Sequence, residues 1–397
     1  MISKSKILLI VILIMMVIGV FGRTPLSMTV TYLLLVVSTI GHVVFVKNYR
    51  RFAKSFNFWY CMGISLMFLS IIMQKIINNQ SFVSGFVANF RFYNTGVVVL
   101  VYFLLLRYKI SYIKFFLALK KAGWINFFAI FIMSLLGIVF INESEITGLV
   151  TEVTSGNISK IFIELIAIIY LSYFIVTANF KYLFYTLILF SMHHILELQR
   201  FVLLVQLAVV SVAILKVKSK KVKSRLIIPI VFVSCFAILF VTSTETGSSA
   251  IERFSQAFSI FTEEKTERIE DYSSAARIYE SEIAMKYFYT SPIVGNGLYR
   301  SSESEKIFGG EYFYLSDIGV VGVMYVFGVL GLIVLFLQYR YLFRLRVLMG
   351  PNVFFNASLL FLLFLLLFSL LTGMSILHYS NFLLSVFLIE YTKSLGF

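Results

Sequence analysis

The sequence predicts an all-α polytopic membrane protein, and three observations carry the prediction. Of 397 residues, 60% are hydrophobic and 13% charged, with a mean hydropathy of +0.93, a composition that water does not keep in solution. Apolar runs of spanning length, roughly 20 residues, recur along most of the chain. The formal charge of +15 sits in short Lys/Arg blocks between those runs, which is the mark of cytoplasmic loops and not of a nucleic-acid surface.

In chain order the apolar segments fall near 7–21, 28–46, 58–77, 86–106, 124–141, 161–178, 182–197, 199–215, 226–242, 316–338, 354–372 and 376–392, giving about twelve transmembrane helices. The first resembles a signal sequence but has no small-x-small cleavage site, so it reads as a retained span. The run 182–215 is about twice the length a span needs and carries His193, His194, Glu197 and Arg200 near its middle, so it divides there into two. Charge supports the division. With the N-terminus inside, the internal loops 47–57, 107–123, 179–181, 216–225 and 339–353 hold the basic residues. Thirteen of the 19 acids lie between Glu245 and Asp317, outside, and Glu143, Glu145 and Glu152 lie in the other sizeable outer loop. A single span would reverse the rule for the second half. Both termini are therefore expected in the cytoplasm. Cys61 and Cys235 each lie within an apolar run and neither reads as half of a disulfide.

The expected organisation is a membrane unit over 1–242, one large extracytoplasmic loop with amphipathic helices over 243–315, and further membrane helices over 316–397. In the loop, Ile251, Phe254 and Phe258 fall at helical spacing, as in a helix lying on the bilayer. The acidic and basic run 263–271 reads as a solvated helix face with a Glu264–Arg268 pair rather than a cation site. The stretch that follows is the most informative. Ser273 or Ser274 can cap a helix with Ile278, Met285 and Tyr289 on one stripe, ended by Pro292. Arg277 stands in its first turn, where the helix dipole favours negative charge, so its guanidinium is expected to face some other anion. Pro292 to Gly297 predicts a turn with exposed backbone, and Asp317 opens an apolar span with glycines at 319, 322, 328 and 331.

Arg91, His193, His194, Glu197, Arg200, Arg277, Arg300, Asp317 and His378 all fall at or near the expected outer face, although they come from distant segments. A charged group in a span costs roughly 2.5–3.5 kcal/mol, so such groups usually face a cavity or a partner, and arginine suits bidentate phosphate binding. Each also has a plainer reading. Arg91 can snorkel to the headgroups, the histidines can be interfacial, Glu197 and Arg200 can pair with each other, and Arg300 can be an ordinary loop residue. No metal-ligand spacing, Walker loop, dinucleotide glycine pattern or nucleophile elbow is present, so neither a metal nor an organic cofactor is expected.

Three local features resemble the O-antigen ligase and Wzy-type polysaccharide polymerase superfamily. One is the span-start arginine of Leu196-Glu197-Leu198-Gln199-Arg200. The second is the arginine-led helix that runs from Arg277 to the glycine turn Gly295-Asn296-Gly297. The third is the span after the loop, where Asp317-Ile318 stands eleven residues before Gly328-x-x-Gly331, in the place of the ligases' His-Asn. The resemblance implies a GT-C-like plan and an inverting, metal-independent glycosyl transfer on the periplasmic face of a bacterial inner membrane. The donor would be a glycan on undecaprenyl diphosphate, and the acceptor the non-reducing end of another lipid-linked repeat in a polymerase or lipid A-core in a ligase. It further implies that Arg200 and Arg277 bind the diphosphate and that Asp317 takes the acceptor proton, with His378 as the alternative base. Arg91, His193, His194, Glu197, Arg300, Gly295 and Gly297 would line the substrate site. The histidine-to-aspartate departure favours polymerase over ligase. The expected partners are the lipid-linked donor and acceptor, the bilayer, a chain-length regulator and a flippase. A transporter of lipid-linked oligosaccharide is the rival of another class, and it predicts related halves and broken helices at the bilayer midplane.

Overall fold

The computed structural model describes residues 4–20, 27–136, 140–143, 150–153, 161–196, 200–217, 272–300, 303, 307–308, 315 and 318–394, with the backbone alone over 27–28, 134, 140–143, 150–153, 192–196, 200–201, 272–278, 371 and 374. The helices are α1 (Lys4–Ile18), α2 (Ser27–Asn48), α3 (Lys54–Asn78), α4 (Phe82–Ala88), α5 (Phe90–Tyr93), α6 (Thr95–Arg107), α7 (Tyr112–Leu135), α8 (Ile161–Thr177), α9 (Phe180–Leu196), α10 (Arg200–Lys216), α11 (Tyr272–Phe288), α12 (Gly319–Leu345), α13 (Val353–Thr372), α14 (Met374–Leu377) and α15 (Tyr379–Ser394). A helix stands at each predicted apolar segment except 226–242, which lies outside the described residues. So do the helix expected around Phe254 and the Glu264–Arg268 pair. The protein is an α-helical membrane protein. Among the described residues six helical segments are long and apolar enough to cross a bilayer, and large apolar side chains such as Val46, Ile125 and Phe336 face outward from the bundle.

The expected division of 182–215 matches two helices, α9 ending at Leu196 and α10 beginning at Arg200. Other boundaries move. Helix α7 begins at Tyr112, inside what the charge pattern marks as a loop, and one of its three lysines is accommodated against the next helix: Lys120 Nζ lies 4.9 Å and 4.7 Å from the ring centroids of Tyr170 and Tyr173 on α8. The same helix stops at Leu135, short of the expected 141. Past Gly137, the strands β1 (Phe140–Glu143) and β2 (Val150–Val153) pair antiparallel with Phe140 opposite Val153, a small departure from the all-α expectation that suits their β-branched residues.

Helices α8 and α13 are largely apolar and are buried on nearly every side, as central helices of a bundle should be. Around them α15 packs on α3, α6 and α13, and α12 packs on α13 and α11. Helices α2 and α6 cross so closely that a Cβ on Gly41 would overlap the Gly96 carbonyl, and one on Gly96 would overlap the Ser38 carbonyl.

The feature that organises the rest is a set of helix interruptions at one level. Helices α4, α5 and α6 are separated at Asn89 and Asn94, α14 and α15 at His378, and α12 at Gly328, where φ is 59° and ψ −148°. The far ends of α6, α12 and α15 lie together, since Tyr391 donates to Ile110 O and Tyr341 donates to Glu390 Oε1 at 2.8 Å. From those contacts Gly328 and His378 are twelve or thirteen residues away, about 18–20 Å at helical rise, and Arg91 meets His378. Phe92 joins the three, stacked on Tyr379 (centroids 5.6 Å) and edge-on to Phe327 (5.7 Å).

The expected straight span at 316–338 is instead a V. A straight helix would put Gly319 and Gln338 about 28 Å apart. Yet Gly373 lies against the Gly319 carbonyl, while Gln338 Oε1 accepts from Ser375 Oγ at 2.7 Å, only two residues further on.

Candidate functional site

Breaking α12 at Gly328 strips partners from the carbonyls before the break and the amides after it, and an unsatisfied backbone group costs several kcal/mol in an apolar surrounding. Pro292 to Gly297 supplies partners for four of these groups. Asn296 N donates to Tyr325 O (2.7 Å) and Gly297 N to Val326 O (2.9 Å), while Val329 N and Leu330 N donate to Pro292 O (2.8 Å) and Ile293 O (3.1 Å). The Asn296 side chain adds a bond from Nδ2 to Tyr287 O at 3.0 Å. The glycine turn therefore differs from its expectation of exposed backbone. Gly295 and Gly297 are buried, with φ of 72° and 79°, and their backbone splints a broken helix. The buried stripe of α11 also differs. It runs through Glu280, Ala284 and Phe288, and Tyr289 is exposed because it lies past the end of the helix.

The splint is held from its other side by α3. Leu298 N donates to Ser70 Oγ (2.7 Å), Gln74 Nε2 donates to Gly297 O (2.9 Å), and Asn78 Nδ2 donates to Gln74 Oε1 (3.0 Å). Ser70, Gln74 and Asn78 are four residues apart and so share one face of α3. Beyond them Arg300 N donates to Gln80 Oε1 at 3.4 Å, which fixes Arg300 at the Asn78 end of α3.

Arg91 and His378, 287 residues apart, meet at two of the interruptions, Arg91 Nη1 against His378 Nε2. Asparagine brackets the arginine for a local reason: Asn89 Nδ2 donates to Gly85 O (2.9 Å), so its side chain competes with the helical ladder. On the other side Gly373, at φ 62°, ends α13, and His378 separates α14 from α15. An arginine N–H only donates, so in this contact Nε2 accepts and the imidazole orients the guanidinium. A second histidine lies near the same interruption: His42 on α2 donates from Nε2 to Tyr93 O (3.0 Å) and accepts at Nδ1 from the Tyr60 hydroxyl.

The expected residues thus divide. Arg91 and His378 come together, and Gly295 and Gly297 sit on the Gly328 break. Arg300 lies elsewhere, its amide on Gln80 just past the end of α3, whereas Tyr379 packs on Gly63 earlier in that helix. His193 and His194 fall in the last turn of α9, Arg200 opens α10 and Arg277 lies in the second turn of α11, all with their side chains undescribed. Glu197 and Asp317 lie outside the described residues. Helix α11 packs on α12 and α10 on α13, two helices that pack on each other, so the arginine-bearing helices have neighbouring supports. Among the described residues no three His, Cys, Asp or Glu side chains gather as a metal site.

Two polar features escaped the sequence reading. Glu164 of α8 is fully buried and its Oε1 accepts from Gln206 Nε2 of α10 at 2.8 Å. The polar face of α3 is the other. An acid inside the run 161–178, and polar residues at intervals of four inside 58–77, were the available signals.

No protein-family model matches the chain, and no curated protein does.

Proposed function

We propose that the protein is a polysaccharide repeat-unit polymerase of the bacterial inner membrane, a glycosyltransferase with about twelve spans, both termini cytoplasmic and its site on the periplasmic face. The observation that supports this best is the meeting of Arg91 and His378 where three interrupted helices converge. On this topology the interruptions lie toward the periplasmic ends of the three spans, the side from which a lipid-linked diphosphate would be met. Irregular backbone buried in protein is also where a membrane protein can aim polar groups without exposing them to lipid.

In the proposed reaction the acceptor hydroxyl oxygen attacks the anomeric carbon of the donor glycan. The bond from that carbon to the diphosphate oxygen breaks, the configuration inverts, and undecaprenyl diphosphate leaves. Asp317 accepts the hydroxyl proton as the general base. Arg200 and Arg277 bind the leaving diphosphate, and Arg91 supplies a third guanidinium whose direction His378 sets. The acceptor is the non-reducing end of another lipid-linked repeat; transfer to lipid A-core, the ligase reaction, is the variant within the same class.

The test is Arg277→Ala in a cell that makes the polymer. Long chains disappear while single repeats still reach the surface. Purified protein given only lipid-linked repeats lengthens them, and a requirement for lipid A-core would make it a ligase. The interrupted helices favour one second reading, a transporter of lipid-linked oligosaccharide, since transporters place such breaks around a site at the midplane. Loss of even the single surface repeat in Arg277→Ala would select it.

A further inference from the structure

Helices α7, α8, α9 and α13 meet beside the turn between α8 and α9, with aromatic rings between them. We propose that Lys120 and Lys181, which stand on those rings, bind the phosphate of an anionic phospholipid. On the proposed topology the lipid belongs to the cytoplasmic leaflet, away from Arg91 and His378. The inference does not depend on the glycosyl-transfer reading.

The first observation is how the two ammonium groups are held. On α7, Tyr112, Phe116, Lys120 and Trp124 recur at intervals of four and so share one stripe. Lys120 is half-buried over the rings of Tyr170 and Tyr173, and Lys181 Nζ lies 5.6 Å from the ring centroid of Tyr185. The rings form one connected set. Tyr185 packs on Tyr170 (5.2 Å) and Trp124 (6.0 Å), Tyr182 packs on Tyr173 (5.1 Å), and Trp124 Nε1 donates to Tyr170 Oη at 2.8 Å. A ring face attracts a cation but does not neutralise it. The second observation is the lack of counter-charge. The four helices carry one acid between them, Glu164, in the first turn of α8 and so at the end away from Tyr173. The acidic stretch from Glu245 to Asp317 belongs, on the proposed topology, to the opposite membrane face. Among the described residues neither ammonium has a hydrogen-bond acceptor, and the hydroxyls of Tyr173, Tyr182 and Tyr185 have no partner. Ammonium and phenol groups are all donors that a phosphate oxygen can use. The third observation is what borders the rings. Phe128 stacks on Trp124 (5.7 Å) and is 52% exposed, and Phe184 and Leu187 of α9 are 61% and 51% exposed, so apolar surface continues from the site. A free phosphate gains nothing from that surface, whereas acyl chains lie along it.

The chain has two tryptophans, Trp124 and the buried Trp59, so Trp59→Phe leaves a single reporter within the site. The experiment reconstitutes that full-length variant in phosphatidylcholine bilayers with a minor fraction of acyl-brominated phosphatidylglycerol, or the same fraction of acyl-brominated phosphatidylcholine, and measures quenching of Trp124. Phosphatidylglycerol is preferred at least fivefold. The preference falls to within twofold when Lys120→Gln or Lys181→Gln is added, and it survives Lys121→Gln, which removes the same charge from the next, exposed position. Equal quenching by the two lipids overturns the proposal. An equal loss in Lys121→Gln also overturns it, because the attraction is then a diffuse one between a basic face and an anionic bilayer. A saturable response of Trp124 emission to inorganic phosphate, with no lipid preference, overturns it in favour of a soluble anion. Should Trp59→Phe fold poorly, native mass spectrometry makes the comparison without it: phosphatidylglycerol stays on the native protein and is lost from Lys120→Gln and Lys181→Gln, and equal retention by all three overturns the proposal.

Discussion

Gly328→Ala tests whether the break in α12 depends on its splint. At φ 59° and ψ −148° the backbone lies close to a region essentially reserved for glycine, and another residue there costs about 1–3 kcal/mol. The new Cβ would stand 2.5 Å from Pro292 O and 2.6 Å from Ile293 C and O, all backbone atoms, so relief requires the 292–297 turn to withdraw. Withdrawal unpairs Tyr325 O, Val326 O, Val329 N and Leu330 N together. Taking the net local loss as about 2 kcal/mol, and tenfold for each 1.4 kcal/mol, the open state becomes about thirtyfold more populated. Hydrogen–deuterium exchange by mass spectrometry, on peptides covering 289–300 and 325–331, should report that acceleration. Gly350→Ala is the control, because a Cβ there meets nothing nearer than Leu348 O at 3.7 Å. Exchange in Gly328→Ala within twofold of the native protein, or an increase that reaches α8 equally, would refute the account.

Arg91→Lys keeps a charge but loses the planar fork, and polymer yield in cells should fall at least tenfold, whereas His378→Gln keeps an acceptor for the guanidinium and should retain most of the yield. If His378→Gln is as inactive as Arg91→Ala, the imidazole transfers a proton and the positioning role is wrong. Gly41→Val forces α2 off the Gly96 carbonyl and should lower stability by about 1–3 kcal/mol, read as a lower thermal midpoint in detergent. Glu164→Leu removes the acceptor of Gln206 Nε2 and should cost about 1–3 kcal/mol, while Glu164→Gln should lie close to the native midpoint; equal losses would show that the charge matters and the hydrogen bond does not.

Helix positions were legible because hydropathy accumulates over a span and a local error is averaged away. The division between α9 and α10 was legible for a related reason: charged groups at a run's centre are costly enough to mark its ends. Arg91 and His378 stood out singly as polar residues in apolar runs, but their meeting depends on contacts 287 residues apart and leaves no local trace. The V in α12 was hidden more completely. Nothing around Gly328 forbids a straight helix. The break is tolerated because a turn some thirty residues earlier returns four hydrogen bonds, and the Gly328-x-x-Gly331 spacing alone gives no sign that its first glycine is a corner. Likewise the 292–297 turn looked available to a ligand because its composition is that of a surface loop, while its backbone is already spent within the protein.

The order of these pieces along the chain bears on how the protein is made. Residues 292–297 leave the ribosome before 319–345, so the partner of the corner already exists when the apolar helix emerges. A circular permutant that synthesised 272–300 last would release that helix with nothing to bend against. It would be expected to enter the bilayer as an uninterrupted rod, shifting every segment that depends on its fold.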